Sequence, residues 1–210
     1  IVTNNDYYAD RMRLIRNHAE SVVEGFGSKN FNNLIGYNFR LGEIESAIGI
    51  EQIKKLDKLV SVKRNNVNQL NIELSNLRGL KLPIERKENK HSYYVYPMIL
   101  DLETLKISRA KIISALEAEG MQGLMSGYVN LHLLPVFQKK IAYGSNGFPW
   151  TFEDSRKNIS YSKGICPVAE KFHDETFLGI EICDFDLTER DIKNIGDAFR
   201  KVWQNLINEK

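Results

Sequence analysis

The sequence predicts an α/β and α+β protein in two parts: the end of a larger α/β domain, then a smaller C-terminal α+β domain, joined by one long helix. Three observations predict this. The chain opens with a strand-like run and an amphipathic helix. An apolar 3.6-residue period then runs from Glu43 to about Leu77, on the order of 50 Å at ~1.5 Å per residue, too long for one small core. After residue 90 the pattern reads strand, helix, strand, short helices, strand, helix, which suits helices packed on a small sheet.

Taken in order, Ile1–Thr3 is β-branched and reads as the end of a strand. Asn4-Asn5-Asp6 is a turn and N-cap. Tyr7–Arg16 shows helical spacing at Ala9, Met12, Leu14 and Ile15, with Arg11, Arg13 and Arg16 on a solvated face. Residues 17–35 carry Gly25, Gly27 and several asparagines and read as a long loop, anchored by burial of Phe26, Phe31, Leu34 and Ile35. The long helix has apolar positions at Ile44, Ala47, Ile48, Ile53, Leu56, Val60, Val67, Leu70 and Leu74. Gly49 costs about 1 kcal/mol in a helix interior, and is either compensated by close approach of another backbone or a simple irregularity of the helix. The domain boundary is expected within residues 55–78, dividing the chain into 1–60 and 61–210.

His91–Asp101 alternates as a strand, with Pro97 arguing for an edge position or a bulge. Ser108 caps a helix over Arg109–Glu119, and Gly120 stops it. Leu124–Leu131 reads as a strand leading to His132. Residues 139–161 form a second long loop. Cys166-Pro167 opens a short helix, Phe177–Cys183 alternates as a strand, and Thr188 caps a last amphipathic helix with Ile192, Ile195, Phe199, Val202, Trp203 and Leu206 on its buried stripe.

Composition narrows the function. The 210 residues carry 29 basic and 27 acidic side chains, interspersed, for a net charge of +2. That balance offers no argument for nucleic acid. No apolar run approaches the ~20 residues of a membrane span. Cys166 and Cys183 make neither a disulfide framework nor a zinc site, and are expected reduced and buried as small hydrophobes in a cytoplasmic protein. His18, His91 and His173 read as surface or satisfied structural residues. A strand starting at residue 1 lacks neighbours to pair with, so the polypeptide is expected to extend further N-terminally.

The stretch Gly36–Gly49 carries the chemistry. In an extended Tyr37–Leu41 segment, Asn38 and Arg40 share one side and the apolar side chains the other. Arg40 offers a fixed fork of five donors and Asn38 two more, suited to a carboxylate or phosphate. A helix then starts with Glu43 in its first turn. Two readings stand: an anion-recognising corner at the start of a long helix, or a structural Arg–Glu pair closing that helix. His132 likewise has two. At a predicted strand end it can face a cleft, or it can be a satisfied structural histidine.

The segment Gly36-Tyr37-Asn38-Phe39-Arg40-Leu41-Gly42-Glu43-Ile44-Glu45-Ser46-Ala47-Ile48-Gly49 resembles the Gly-Tyr-Asn-(Tyr/Phe)-Arg-(Met/Leu)-x-Glu-Ile-x-Ala-Ala-Ile-Gly segment of the DegT/StrS nucleotide-sugar aminotransferases, with Ser46 in place of the usual alanine. The pieces Ile1–Asp6 with Arg13–His18, Tyr128–His132, Cys166–Glu170 and Leu187–Ile192 also resemble that family. The resemblance implies the C-terminal portion of a pyridoxal-phosphate-dependent transferase fold, with residues 1–60 closing the large cofactor-binding domain. It implies a cytoplasmic homodimer with shared active sites and a role in polysaccharide biosynthesis. It implies amino transfer from glutamate to a keto-sugar, nucleotide-linked, with no nucleic acid or membrane partner and no metal. Asn38 would reach the cofactor phosphate in the neighbouring subunit's site, with Arg40 beside it, and His132 and Tyr128 would line the sugar pocket. The family's cofactor-anchoring lysine, its stacking aromatic and its aspartate lie upstream. No lysine here sits in the family's Ser-Phe-x-x-x-Lys context, so the 210 residues alone are expected to be inert. A sugar dehydratase of the same family, with histidine replacing that lysine, and a non-catalytic dimerisation or binding module are the alternatives.

Overall fold

In the computed structural model, residues 1–19, 34–152 and 159–208 are described, with side chains through residue 206. They fall into two compact units, Ile1–Asp57 and Lys58–Lys210.

The first unit begins without a ladder. Ile1–Thr3 pairs with nothing among the described residues, and Ile1 and Val2 are exposed. The expected strand is therefore absent, because extended backbone becomes a strand only where a neighbour takes its N–H and C=O groups. Helix α1 (Asp6–Arg16) is capped by Asn5, whose side chain accepts from the Tyr8 amide at 3.1 Å. Of its apolar side chains only Leu14 is buried. The expected loop over 17–35 lies mostly outside the described residues, and of its anchors Leu34 is half-buried and Ile35 exposed.

Helix α2 (Glu43–Leu74) is continuous across the boundary between the units. Its second half buries Val67, Leu70 and Leu74. Its first half leaves Ile44, Ile48, Ile53 and Leu56 exposed, because no element among the described residues packs on that face. For the same reason nothing lies within contact of Gly49, and the close backbone approach expected there is not found.

The second unit is a four-stranded antiparallel sheet with helices. Strands β1 (Leu80–Lys81), β2 (Tyr96–Leu100), β3 (Leu124–Met125) and β4 (Phe177–Ile180) lie in the order β1-β2-β4-β3. On β2, Tyr96, Met98 and Leu100 are buried, as alternation requires. Pro97 pairs with Gly179 on β4, while β1 reaches only Ile99 and Leu100, so the proline sits where β2 is locally an edge. A short helix α3 (Leu102–Leu105) follows, and α4 (Arg109–Ala118) starts at the predicted cap Ser108. Three expected strands are shorter than predicted. β2 starts only at Tyr96, because Tyr93 takes φ +55° and breaks the extended run before it. β3 stops at Met125, because Gly127 takes φ +102° and the chain turns into a 3₁₀ segment at Leu131–Leu133. β4 stops at Ile180, where its partners β2 and β3 also end. Helices α5 (Pro135–Lys139) and α6 (Pro167–Lys171) each carry proline in the first turn, and a π turn, Phe172–Thr176, leads into β4.

Helix α7 (Glu189–Trp203) opens on a reciprocal capping box between Thr188 and Asp191. It buries Ile192, Phe199, Val202 and Trp203 against Leu70, Leu74, Tyr96, Met98, Ile112, Leu116, Leu178 and Ile180. Two hetero-groups of this core are paired: Tyr96 Oη donates to Asn71 Oδ1 at 2.7 Å, and Trp203 Nε1 donates to the Arg78 carbonyl at 2.8 Å. The cysteines differ from expectation. Both are free, but Cys166 is half-buried and Cys183 exposed, its Sγ 3.2 Å from the Tyr93 carbonyl. Each sits at a turn beyond the buried core.

Candidate functional site

The predicted site residues fall in both units, Asn38 and Arg40 in the first and Tyr128 and His132 in the second. In the first unit, Tyr37–Phe39 lies extended beside the end of α1. The Tyr37 amide donates to the Ile15 carbonyl at 2.9 Å, His18 N to Tyr37 O at 3.0 Å, and Phe39 N to Arg16 O at 3.0 Å. This pairs Asn38 with Asn17 in an antiparallel bridge. Gly36 is required here for space: a Cβ would collide with the backbone of His18 and Ala19. The rings of Tyr37 and Phe39 lie 5.1 Å apart, as residues two apart on one side of extended chain do. Asn38 and Arg40 are both exposed. Arg40 Nη1 donates to Asn17 Oδ1, and among the described residues Arg40 makes no ion pair with Glu43, so the structural Arg–Glu reading does not hold. The Asn38 carboxamide makes no side-chain hydrogen bond among the described residues. The local backbone thus fixes a stretch that presents an amide and a guanidinium outward.

In the second unit, His132 sits in the 3₁₀ turn and not at a strand end. Its side chain is 11% exposed, and its Nε2 lies 2.8 Å from Oε1 of Glu170, which is 8% exposed. Glu170 also accepts from the Gly164 amide on both oxygens at 2.8 Å, and from the Cys166 amide at 3.2 Å. Burial pushes the Glu170 carboxyl up, but the Gly164 and Cys166 amides and the His132 imidazole outweigh it and hold the group below its ordinary value. Gln138 Nε2 donates to the carbonyls of His132 and Tyr161, each at 2.7 Å. Nearby, Asn130 and Lys163 share Asp174, at 3.0 and 2.7 Å. Arg109 spreads its guanidinium over the carbonyls of Ser126, Phe172, His173, Asp174 and Phe177 at 2.8–3.3 Å, tying the π turn to the segment that precedes Tyr128.

Tyr128 is exposed. Its hydroxyl donates to that of Tyr94 at 3.3 Å, which raises the Tyr128 phenol above its ordinary value. Tyr128 and His132 make no hydrogen bond to each other. Of the remaining histidines, His91 accepts from the Tyr93 amide at 2.7 Å and stacks on that ring, and the His173 carbonyl receives Arg109. Among the described residues no His, Cys, Asp or Glu cluster could hold a metal, and no helix is long and apolar enough to cross a membrane.

Sequence reading missed Glu170, Arg109 and Tyr94. For Glu170 the signal was an acidic residue directly after the apolar Pro167-Val168-Ala169. Its partners, 38, six and four residues away, have no shared periodicity that would reveal them.

The folded Glu170 carboxylate contributes stability above its unfolded pKa of about 4.3, and that contribution is lost as pH falls through the lower folded value. Melting temperatures of the wild type and Glu170→Gln should therefore differ where Glu170 is ionised and converge as the pH falls through its folded titration range. A difference independent of pH would contradict the assignment.

Residues 1–177 match the model of the DegT/DnrJ/EryC1/StrS aminotransferase family. An uncharacterised protein of Methanocaldococcus jannaschii, MJ1066, is 29% identical over 162 residues, which are 73% of this chain and 42% of the relative. The GDP-perosamine synthase of Vibrio cholerae is 27% identical over 170 residues, 79% of this chain and 43% of the relative. Helicobacter pylori PseC, an aminotransferase involved in the biosynthesis of pseudoaminic acid, superposes with a TM-score of 0.64 at 19% identity, covering 97% of this chain and 48% of that one. The chain therefore spans less than half the length of the relatives it matches, and its fold is part of the pyridoxal-phosphate-dependent transferase fold. With the family model covering the Gly36–Gly49 stretch and most of the second unit, the chain belongs to the DegT/DnrJ/EryC1/StrS aminotransferase family.

Proposed function

We propose that this chain supplies the part of a pyridoxal-phosphate-dependent sugar aminotransferase that follows the cofactor-anchoring lysine, and that the whole enzyme transfers an amino group from glutamate to a nucleotide-linked keto-sugar. The observation that carries this reading is the outward-facing Asn38 and Arg40 at the head of α2, in a chain whose family is established. The donor set fits the cofactor's phosphate dianion: a carboxamide without a side-chain partner among the described residues, and a guanidinium with donors beyond the one given to Asn17. When bound, the cofactor supplies an electron sink. Asn38 would donate to its phosphate in the neighbouring subunit's site, and Arg40 would fix the approach through its planar fork. The enzyme would thus be a homodimer with shared sites, acting in the cytoplasm on precursors of a surface polysaccharide. Residues 1–60 would belong to its large cofactor-binding domain and 61–210 to its small domain. Lacking the anchoring lysine, the 210 residues alone would be inactive.

In the small domain, His132 and Tyr128 would contact the sugar. His132→Ala in the whole enzyme should raise the KM for the sugar about three- to tenfold, the worth of one net hydrogen bond, with kcat within about twofold. A fall in kcat at unchanged KM would remove His132 from the ground-state pocket.

The reading is tested by incubating the whole enzyme with pyridoxal phosphate, glutamate and nucleotide-linked keto-sugars. Amino-sugar and 2-oxoglutarate should appear in equal amounts. Loss of water from the sugar without 2-oxoglutarate formation would instead place the enzyme with the sugar dehydratases of the family.

A further inference from the structure

We propose that Glu170 is the positioning residue of His132: it holds the imidazole as its Nε2–H tautomer and so leaves Nδ1 as an acceptor for a hydroxyl of the bound sugar. This rests on the reading of His132 as a pocket residue.

Three observations carry it. First, Glu170 is a buried carboxylate whose oxygens already accept from the Gly164 and Cys166 amides, so its place is set by backbone and not by the histidine. Second, Oε1 meets Nε2 of His132 at 2.8 Å, and an ionised carboxylate can only accept, so Nε2 must carry the proton. Third, the Gln138 amide holds the His132 backbone through its carbonyl at 2.7 Å. With one ring nitrogen and the backbone both held, the ring cannot turn. Among the described residues Nδ1 has no hydrogen-bond partner, yet no polar side-chain atom is both fully buried and unpartnered, so Nδ1 reaches solvent. In neutral imidazole the nitrogen opposite N–H is a lone pair. It pairs with a hydroxyl proton and repels a carbonyl or phosphate oxygen. The site thereby selects a donor from the sugar, and His132 would meet a hydroxyl and not the keto oxygen or the diphosphate.

The test is ¹⁵N NMR of the holoenzyme labelled at histidine, with His132 assigned by its loss in His132→Gln. At neutral pH the wild type should show a protonated Nε2 and an unprotonated Nδ1. Glu170→Gln, whose amide oxygen can still accept from Nε2–H, should keep that tautomer, and Glu170→Ala should give the mixture of free imidazole. Saturation with a nucleoside-diphosphate hexose should shift the Nδ1 signal. Mixed tautomers, an Nδ1–H form or an imidazolium in the wild type would overturn the proposal and leave the pocket assignment standing. A single Nε2–H tautomer in Glu170→Ala would also overturn it. A correct tautomer whose Nδ1 ignores the saturating hexose would remove His132 from the pocket, and the proposal with it. The wild-type spectrum decides the tautomer even if the alanine variant does not fold.

Discussion

Mixed dimers that combine an Asn38→Ala subunit with a subunit lacking the cofactor-anchoring lysine are expected to regain activity that neither parent has. If Asn38 acts across the interface, the mixed dimer carries one site with both defects and one with neither. If it serves its own subunit, every site carries one defect and nothing is regained. The single substitution should weaken cofactor retention about ten- to a hundredfold, since a hydrogen bond to a charged group is worth roughly 1.5–3 kcal/mol. Arg40→Lys should weaken it too, because a point charge does not replace a planar fork that also reaches Asn17. The measurement is turnover after denaturant-driven subunit exchange, with exchange followed by two affinity tags. Full exchange without recovered turnover would reject the cross-subunit role of Asn38.

The second large effect is structural. Trp203→Ala should destabilise the Lys58–Lys210 unit by about 3–5 kcal/mol, the range for large aromatic truncations in a packed core. Trp203 is 1% exposed, stacks on Phe199 with ring centroids 5.6 Å apart, and satisfies the Arg78 carbonyl through Nε1. Truncation leaves a cavity and an unpaired carbonyl together. At about 2–4 °C per kcal/mol for a unit of this size, the melting temperature should fall by roughly 6–20 °C. Trp203→Phe should lose less than Trp203→Ala, because the ring stack survives while the N–H bond and part of the ring volume go. Ile84→Ala, at an exposed site, should stay within about 0.5 kcal/mol. Equal losses at Trp203 and Ile84, by chemical denaturation, would contradict the core described above.

Much of the fold was legible because it is written in short-range rules. The caps Asn5, Ser108 and Thr188 start their helices where expected. Gly120, at φ +91°, ends α4, and the stripe Ile192–Phe199–Val202–Trp203 is buried as its spacing required. The Gly36–Gly49 motif was legible too, since an extended alternation followed by a helix start needs only neighbouring residues. Where long-range partners decide, the sequence was silent or misleading. Ile1–Thr3 and residues 126–131 have strand-like composition but find no ladder, and Ile44, Ile48 and Ile53 repeat with helical period on a face that nothing described here covers. The length and phase of α2 were therefore determined by sequence, while which half of it is core was decided by tertiary packing. The same holds at the site. A predicted strand end and the family resemblance marked His132 as a candidate, but only folding brings Glu170 from 38 residues away to its Nε2, and a carboxylate can orient an imidazole only at hydrogen-bond distance.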